Sequence, residues 1–113
     1  MSDIALIALL FILDAFLFIG LGIPLLQGQV PPNSWYGFRT RKTLSDEKTW
    51  YAVNRVTGRD MILAGVAIII SSLLLLIFGS KIGFGKAAAI LIGITLLSVT
   101  WMIIHGYKIL KRM

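Results

Sequence analysis

Three apolar blocks, residues 4–26, 61–78 and 87–105, decide the solvent of this chain before any motif is considered. Hydrocarbon about 30 Å thick is crossed by about 20 residues at the helical rise. Each block reaches the spanning range, the middle one at its low end. The composition agrees: 58% of residues are hydrophobic and 14% charged, against roughly 45–50% and 25% in a soluble domain. The expectation is an all-α integral membrane protein, one membrane domain over residues 1–113 with three transmembrane helices. The first block reads as a retained span rather than a cleaved leader. Asp3 is its only early charge, and Gly22-Ile23-Pro24-Leu25 offers no small-x-small cleavage site.

The charge pattern orients the spans. All eleven Lys and Arg lie outside the three blocks. Lys81 and Lys86 sit in the second connection, whereas Arg39, Arg41, Lys42, Lys48, Arg55, Arg59, Lys108, Lys111 and Arg112 share the opposite side. The positive-inside rule then places the N-terminus outside and both residues 28–60 and the C-terminus in the cytoplasm, across the plasma membrane. The net charge of +6 belongs to juxtamembrane cations, each worth about 1 kcal/mol against anionic headgroups. Anionic lipid is therefore the expected partner, not nucleic acid.

Inside lipid, apolar burial does not drive helix pairing, so small residues and interhelical hydrogen bonds must. Ala67 and Ser71 in the second span, and Ala89 and Gly93 in the third, lie one turn apart and are the expected contact points. Pro24, with Gly20 and Gly22 before it, should bend or end the first helix. The Gly-rich connection from Gly79 to Lys86 predicts a tight helical hairpin. Its Gly85-Lys86 pair is no phosphate loop: the spacing from Gly79 is one residue too long, and Ala87 stands where a Ser or Thr would be needed.

The polar island at residues 28–60 holds six of the eleven basic and three of the five acidic residues. Pro31-Pro32-Asn33 forbids continuation of the first helix. Trp35, Tyr36 and Phe38 form an aromatic cluster suited to headgroup depth, and Gly37 between aromatics suggests a close backbone approach. Ser45 is a plausible helix cap, with Asp46 and Glu47 in the first turn, where negative charge suits the dipole. Trp50, Val53, Asn54 and Thr57 then share one face. This predicts a short amphipathic helix lying in the interface and turning down at Gly58 into the second span. Asn54, an amide on that face, needs partners. Arg39 and the backbone of the Tyr36-Gly37 turn are the candidates, giving a compact cap tied by Arg39 and Asn54.

The run Pro32-Asn33-x-x-Tyr36-Gly37-Phe38-Arg39-Thr40-x-x-Thr43, followed by Trp50-x-x-x-Asn54-Arg55-x-x-Gly58, resembles the signature of the SdpI/YfhL family of bacterial membrane proteins. The resemblance covers the island and its flanking spans and corresponds to the C-terminal, three-span half of the family's longer immunity proteins. It implies a membrane protein protecting a bacterial cell against a secreted antimicrobial peptide toxin. It also implies a recognition or folding role for Asn33, Tyr36, Gly37, Phe38, Arg39, Thr40, Thr43, Trp50 and Asn54. Catalysis and cofactors are not implied.

Asp14 lies near the middle of the first span, where a lone charge costs at least ~2.5–3.5 kcal/mol and by default suggests function. Ser71, Ser72, Thr95 and Ser98 fall at comparable depth and are candidate partners. A bundle-pairing acid is the bland reading. The functional one is a small proton- or cation-coupled transporter that uses Asp14. An enzyme is the weakest reading. His105, the single histidine, lacks visible triad company, and an interfacial ring is favoured over a pair with Asp60. With no cysteine, disulfides and thiolate metal sites are excluded. Three helices bury little surface, which makes a homodimer natural.

Overall fold

A computed structural model describes residues 2–113. The described residues are all helical or irregular, and three helices are long and apolar enough to cross a membrane. Helix α1 spans Asp3–Leu26, α2 Arg41–Ser45, α3 Glu47–Phe78 and α4 Phe84–Lys111, with a 3₁₀ turn at Gly79–Lys81 between α3 and α4. This is a multi-pass membrane protein.

Helix α1 starts at Ser2, whose hydroxyl accepts from the Ala5 amide at 3.1 Å. It runs through Pro24 and closes at Leu26, followed by Gly28 at φ +69°, whose amide donates to the Leu25 carbonyl at 3.2 Å. Helix α3 runs antiparallel to α1 on a seam of small residues. A methyl group built on Gly58 would lie 2.5 Å from the Gly22 carbonyl oxygen and 2.5 Å from the Leu26 nitrogen. One on Gly65 would lie 2.8 Å from the Ala15 carbonyl oxygen, and one on Gly79 would lie 2.8 Å from Ile4 Cγ2. Ala8 and Ser72, both fully buried, continue the two rows. Ala8, Ala15 and Gly22 thus repeat at the heptad interval, as do Gly58, Gly65, Ser72 and Gly79. Their missing side chains let the two backbones touch.

That seam corrects the expected pairing. Ala67 and Ala89 face outward, Gly93 has open space beside it, and Ser71 turns its hydroxyl onto the Ala67 carbonyl at 2.8 Å. The small residues that matter recur every seventh position rather than every fourth. Helix α4 folds back through Gly83, at φ +92°, and packs Ala87 and Leu91 on Leu75, with Ile7 and Phe11 of α1 against the same cluster. The N-terminus and the α3–α4 turn therefore share one end of the bundle. The island and the C-terminus share the other.

The second correction concerns residues 45–58. From Glu47 on they are helical, but they form the first turns of α3 itself rather than a separate helix lying in the interface. Gly58 does not turn the chain: it is mid-helix, its open side filled by the α1 backbone. The helical cost of one glycine, about 1 kcal/mol, is outweighed by that contact. At 32 residues, α3 is about 48 Å long, longer than the hydrocarbon needs. Its first turns consequently stand clear of α1 and receive the island. The cap residue is Asp46, not Ser45. Its carboxylate accepts from the Thr49 amide at 3.3 Å and the Thr49 hydroxyl at 2.6 Å. The short helix between the first two spans is α2.

Candidate functional site

The island folds as a roof over the projecting start of α3, beginning with Asn33. Its Oδ1 accepts from the amides of Trp35 and Tyr36, each at 2.9 Å, while its Nδ2 donates to the Pro31 carbonyl at 2.8 Å. This side-chain-closed turn is what Asn does best in a loop. It aims Tyr36, Gly37 and Phe38 back at α3 and α4. Trp35 is left 82% exposed, so the aromatic run divides between one outward and two half-buried rings. Partial burial raises the Tyr36 phenol above its ordinary value.

Gly37 adopts φ +115° and rests on Trp50 and Asn54. A methyl group there would sit 2.9 Å from both the Trp50 ring edge and Asn54 Oδ1. Backbone conformation and space both exclude a larger residue. Trp50 is fully buried, and its indole N–H donates to the Val30 carbonyl at 2.8 Å. The face Trp50, Val53, Asn54 and Thr57 is buried throughout: it meets protein, not headgroups.

Asn54 is the clasp. Its Oδ1 accepts from the Phe38 amide at 2.6 Å, and its Nδ2 donates to the Phe38 carbonyl at 3.3 Å and the Trp50 carbonyl at 3.0 Å. The Thr43 hydroxyl donates to the same Phe38 carbonyl at 3.0 Å. Thr43 is also locked to Thr40 by a reciprocal capping box that starts α2. Both polar groups of the Phe38 peptide are therefore held by side chains (one from α3, one from α2).

With its backbone fixed, the Phe38 ring lies on Gly106 of α4, where no side chain would fit. It meets Tyr107 edge-on at a centroid distance of 5.2 Å. Lys42 adds a second tie to α4 by donating to the Leu110 carbonyl at 3.2 Å. The roof thus bridges α3 and α4.

Arg39 plays a different part from the one expected. It does not meet Asn54; its guanidinium donates to the Ser34 carbonyl, closing the loop on its own exposed side. The sequence did place Asn54 against the turn's backbone, and that half of the expectation holds.

Beneath the roof, Asp60 and His105 form a pair. Asp60 is 1% exposed, and its Oδ2 lies 2.6 Å from His105 Nδ1. Its Oδ1 accepts from Arg59 at 3.3 Å, and Trp101 stacks on the imidazole at 5.5 Å. The favoured reading, an interfacial His105 with a satisfied ring, gives way to the alternative, the His105–Asp60 pair. A buried carboxylate on α3 requires a donor, and α4 supplies it.

Between α1 and α4, below Tyr36 and Phe38, lies an apolar cavity of about 250 Å³ lined by Leu21, Thr57, Met61, Met102 and Ile103 among others. Asp14 stands apart from the roof. It lines a neighbouring cavity of about 220 Å³ that shares Leu21 and Met61 with the first. The hydroxyls expected to meet it do not. Ser71 and Thr95 bond to carbonyls of their own helices, and Ser72 is buried without a partner.

A family model described as the SdpI/YfhL protein family matches residues 29–106, from the start of the roof to the glycine beneath Phe38. The uncharacterized protein YfhL of Bacillus subtilis (strain 168) is 46% identical over 43 residues, 38% of this chain and 39% of that protein. The match thus spans about two fifths of the curated relative. No solved structure matches the chain.

Proposed function

This chain belongs to the SdpI/YfhL protein family, and we propose that it protects a bacterial cell against a secreted antimicrobial peptide toxin from within the plasma membrane. The proposed orientation is N-terminus out, with the roof and the C-terminus in the cytoplasm. Its support is the grouping of Arg41, Lys48, Arg55 and Arg59 with Lys108, Lys111 and Arg112 at one end of the bundle.

The observation that carries the reading is the fate of the motif. Asn33, Tyr36, Gly37, Phe38, Thr40, Thr43, Trp50 and Asn54 converge on one folded roof that seals the ends of α3 and α4. These residues hold a shape rather than assemble a reacting centre. A shaped, cation-rimmed surface at the headgroup layer suits interaction with an amphipathic peptide or with the lipid that such a peptide attacks.

The test is survival. The chain is expressed in a Bacillus strain sensitive to a secreted peptide toxin, beside an empty vector and Asn54→Ala at matched membrane levels. Protection by the wild type, reduced in Asn54→Ala, supports the proposal. Equal killing of wild type and vector across the peptide toxins tried contradicts it.

A further inference from the structure

Ile7, Asp14 and Leu21 recur at the heptad interval on α1. Ile7 joins the Leu75, Ala87 and Leu91 cluster at the turn end. Leu21 faces Ile103 across the 250 Å³ cavity at the roof end. Asp14 lies between them, in a cleft that it lines with Leu17, Phe18, Leu21 and Met61 of α3.

Two polar groups in this apolar cleft lack partners. Asp14 takes part in neither of the ion pairs found among the described residues, both of which involve Asp60. The Thr57 hydroxyl, on the cavity wall, is buried with no hydrogen-bond partner. An uncompensated carboxylate in hydrocarbon and an orphaned buried hydroxyl are each unfavourable. A positive charge would relieve Asp14, and an apolar chain would fill the apolar cavity beside it.

We propose that the two adjoining cavities along α1 form a binding site for a single-chain cationic amphiphile. The cation pairs with Asp14, and the chain runs past Leu21 and Met61 to lie beneath Tyr36 and Phe38. Asp14 and Leu21 are separated by seven residues, about 10 Å at helical rise, so a chain of moderate length spans the cleft. Only taken together do the two adjoining cavities reach the lower part of the size range of small-ligand sites. Their volumes are too small for a peptide helix of about 10–12 Å diameter. This site is independent of the protective reading.

The experiment is equilibrium dialysis of decyltrimethylammonium against the chain in phosphatidylcholine nanodiscs, with empty nanodiscs subtracted and decanol as the uncharged companion. The wild type takes up the cation saturably at one per chain. Asp14→Asn weakens uptake at least about tenfold, Asp14→Glu retains most of it, and Leu21→Trp abolishes it by filling the cleft. Decanol does not distinguish wild type from Asp14→Asn. Circular dichroism checks that each variant remains helical, and should Asp14→Asn unfold, Asp14→Glu and Leu21→Trp still decide. Uptake no greater than in empty discs overturns the proposal, as does equal affinity in Asp14→Asn or undiminished binding in Leu21→Trp. Protection without uptake would retain the toxin reading and reject this site; uptake without protection would do the reverse.

Discussion

His105 Nδ1 lies 2.6 Å from Asp60 Oδ2, joining α4 to α3 beneath the roof across 45 residues of sequence. Asp60 is buried and His105 only partly so. Removing one partner of a buried pair leaves an uncompensated charge. His105→Ala is expected to destabilise the bundle by about 2 kcal/mol, less than for a wholly buried pair because Arg59 remains at 3.3 Å. Unfolding in mixed SDS micelles measures it. The double variant Asp60→Ala/His105→Ala should lose less than the sum of the single losses. Strict additivity would show that the two groups do not interact.

Asn54 holds both polar groups of Phe38, so its variants should separate acceptor from donor. Asn54→Ala orphans a buried amide and weakens the hold on a carbonyl, at a cost of about 2–3 kcal/mol. Asn54→Asp keeps the acceptor for the 2.6 Å bond and loses the two donations. Amide exchange at Phe38 should therefore quicken strongly in Asn54→Ala and less in Asn54→Asp. Equal exchange in all three chains would contradict the clasp.

Gly58 is where α1 and α3 come closest. Gly58→Ala must push the helices apart, since the new methyl meets backbone on α1 rather than a movable side chain. Overpacking of this kind costs about 1–3 kcal/mol. Gly93→Ala, with nothing near it, should be neutral or slightly stabilising on helix propensity. Equivalent effects at the two positions would refute the seam.

Asp46 gives the start of α3 a pH dependence. The Thr49 hydroxyl, the leading cause, and backbone amides hold its carboxyl below the ordinary 3.8, with desolvation opposing them. Because the folded value is the lower one, the contribution is fully present above the unfolded value and fades as pH falls through the folded one. The stability difference between wild type and Asp46→Ala should be present at neutral pH and vanish in acid once the pH is below the folded value. A difference that persists in acid would exclude the carboxylate as its source.

The spans, the shared ends of loop and C-terminus, and the position of Asn54 against the turn were all legible in the sequence. Each follows from local rules: apolar length, charge asymmetry, helical periodicity. What escaped depends on which helix faces which. The heptad rows Ala8–Ala15–Gly22 and Gly58–Gly65–Ser72–Gly79 stand in the sequence, but spacing-four pairs such as Ala67 and Ser71 compete for attention. Only the paired backbones show which row is used. Gly58 looked like a corner because glycine often is one, whereas here the absent side chain serves close approach. Arg39 was assigned to Asn54 by chemistry alone, and the shorter reach to Ser34 prevailed. Phe38 on Gly106 joins residues 68 positions apart and left no local trace.

The motif loop is a folded roof seated on α4, and the cysteine-free chain makes a direct measurement possible. Phe38→Cys/Tyr107→Cys and Trp35→Cys/Tyr107→Cys are made in membranes and treated with a short bis-methanethiosulfonate cross-linker, which joins two thiols with loss of methanesulfinate. The Phe38 pair, whose parent rings lie 5.2 Å apart, should link rapidly within one chain, and the pair using exposed Trp35 should link poorly. Equal linking of both pairs, or none at the Phe38 position, would show that the loop does not rest where this account places it.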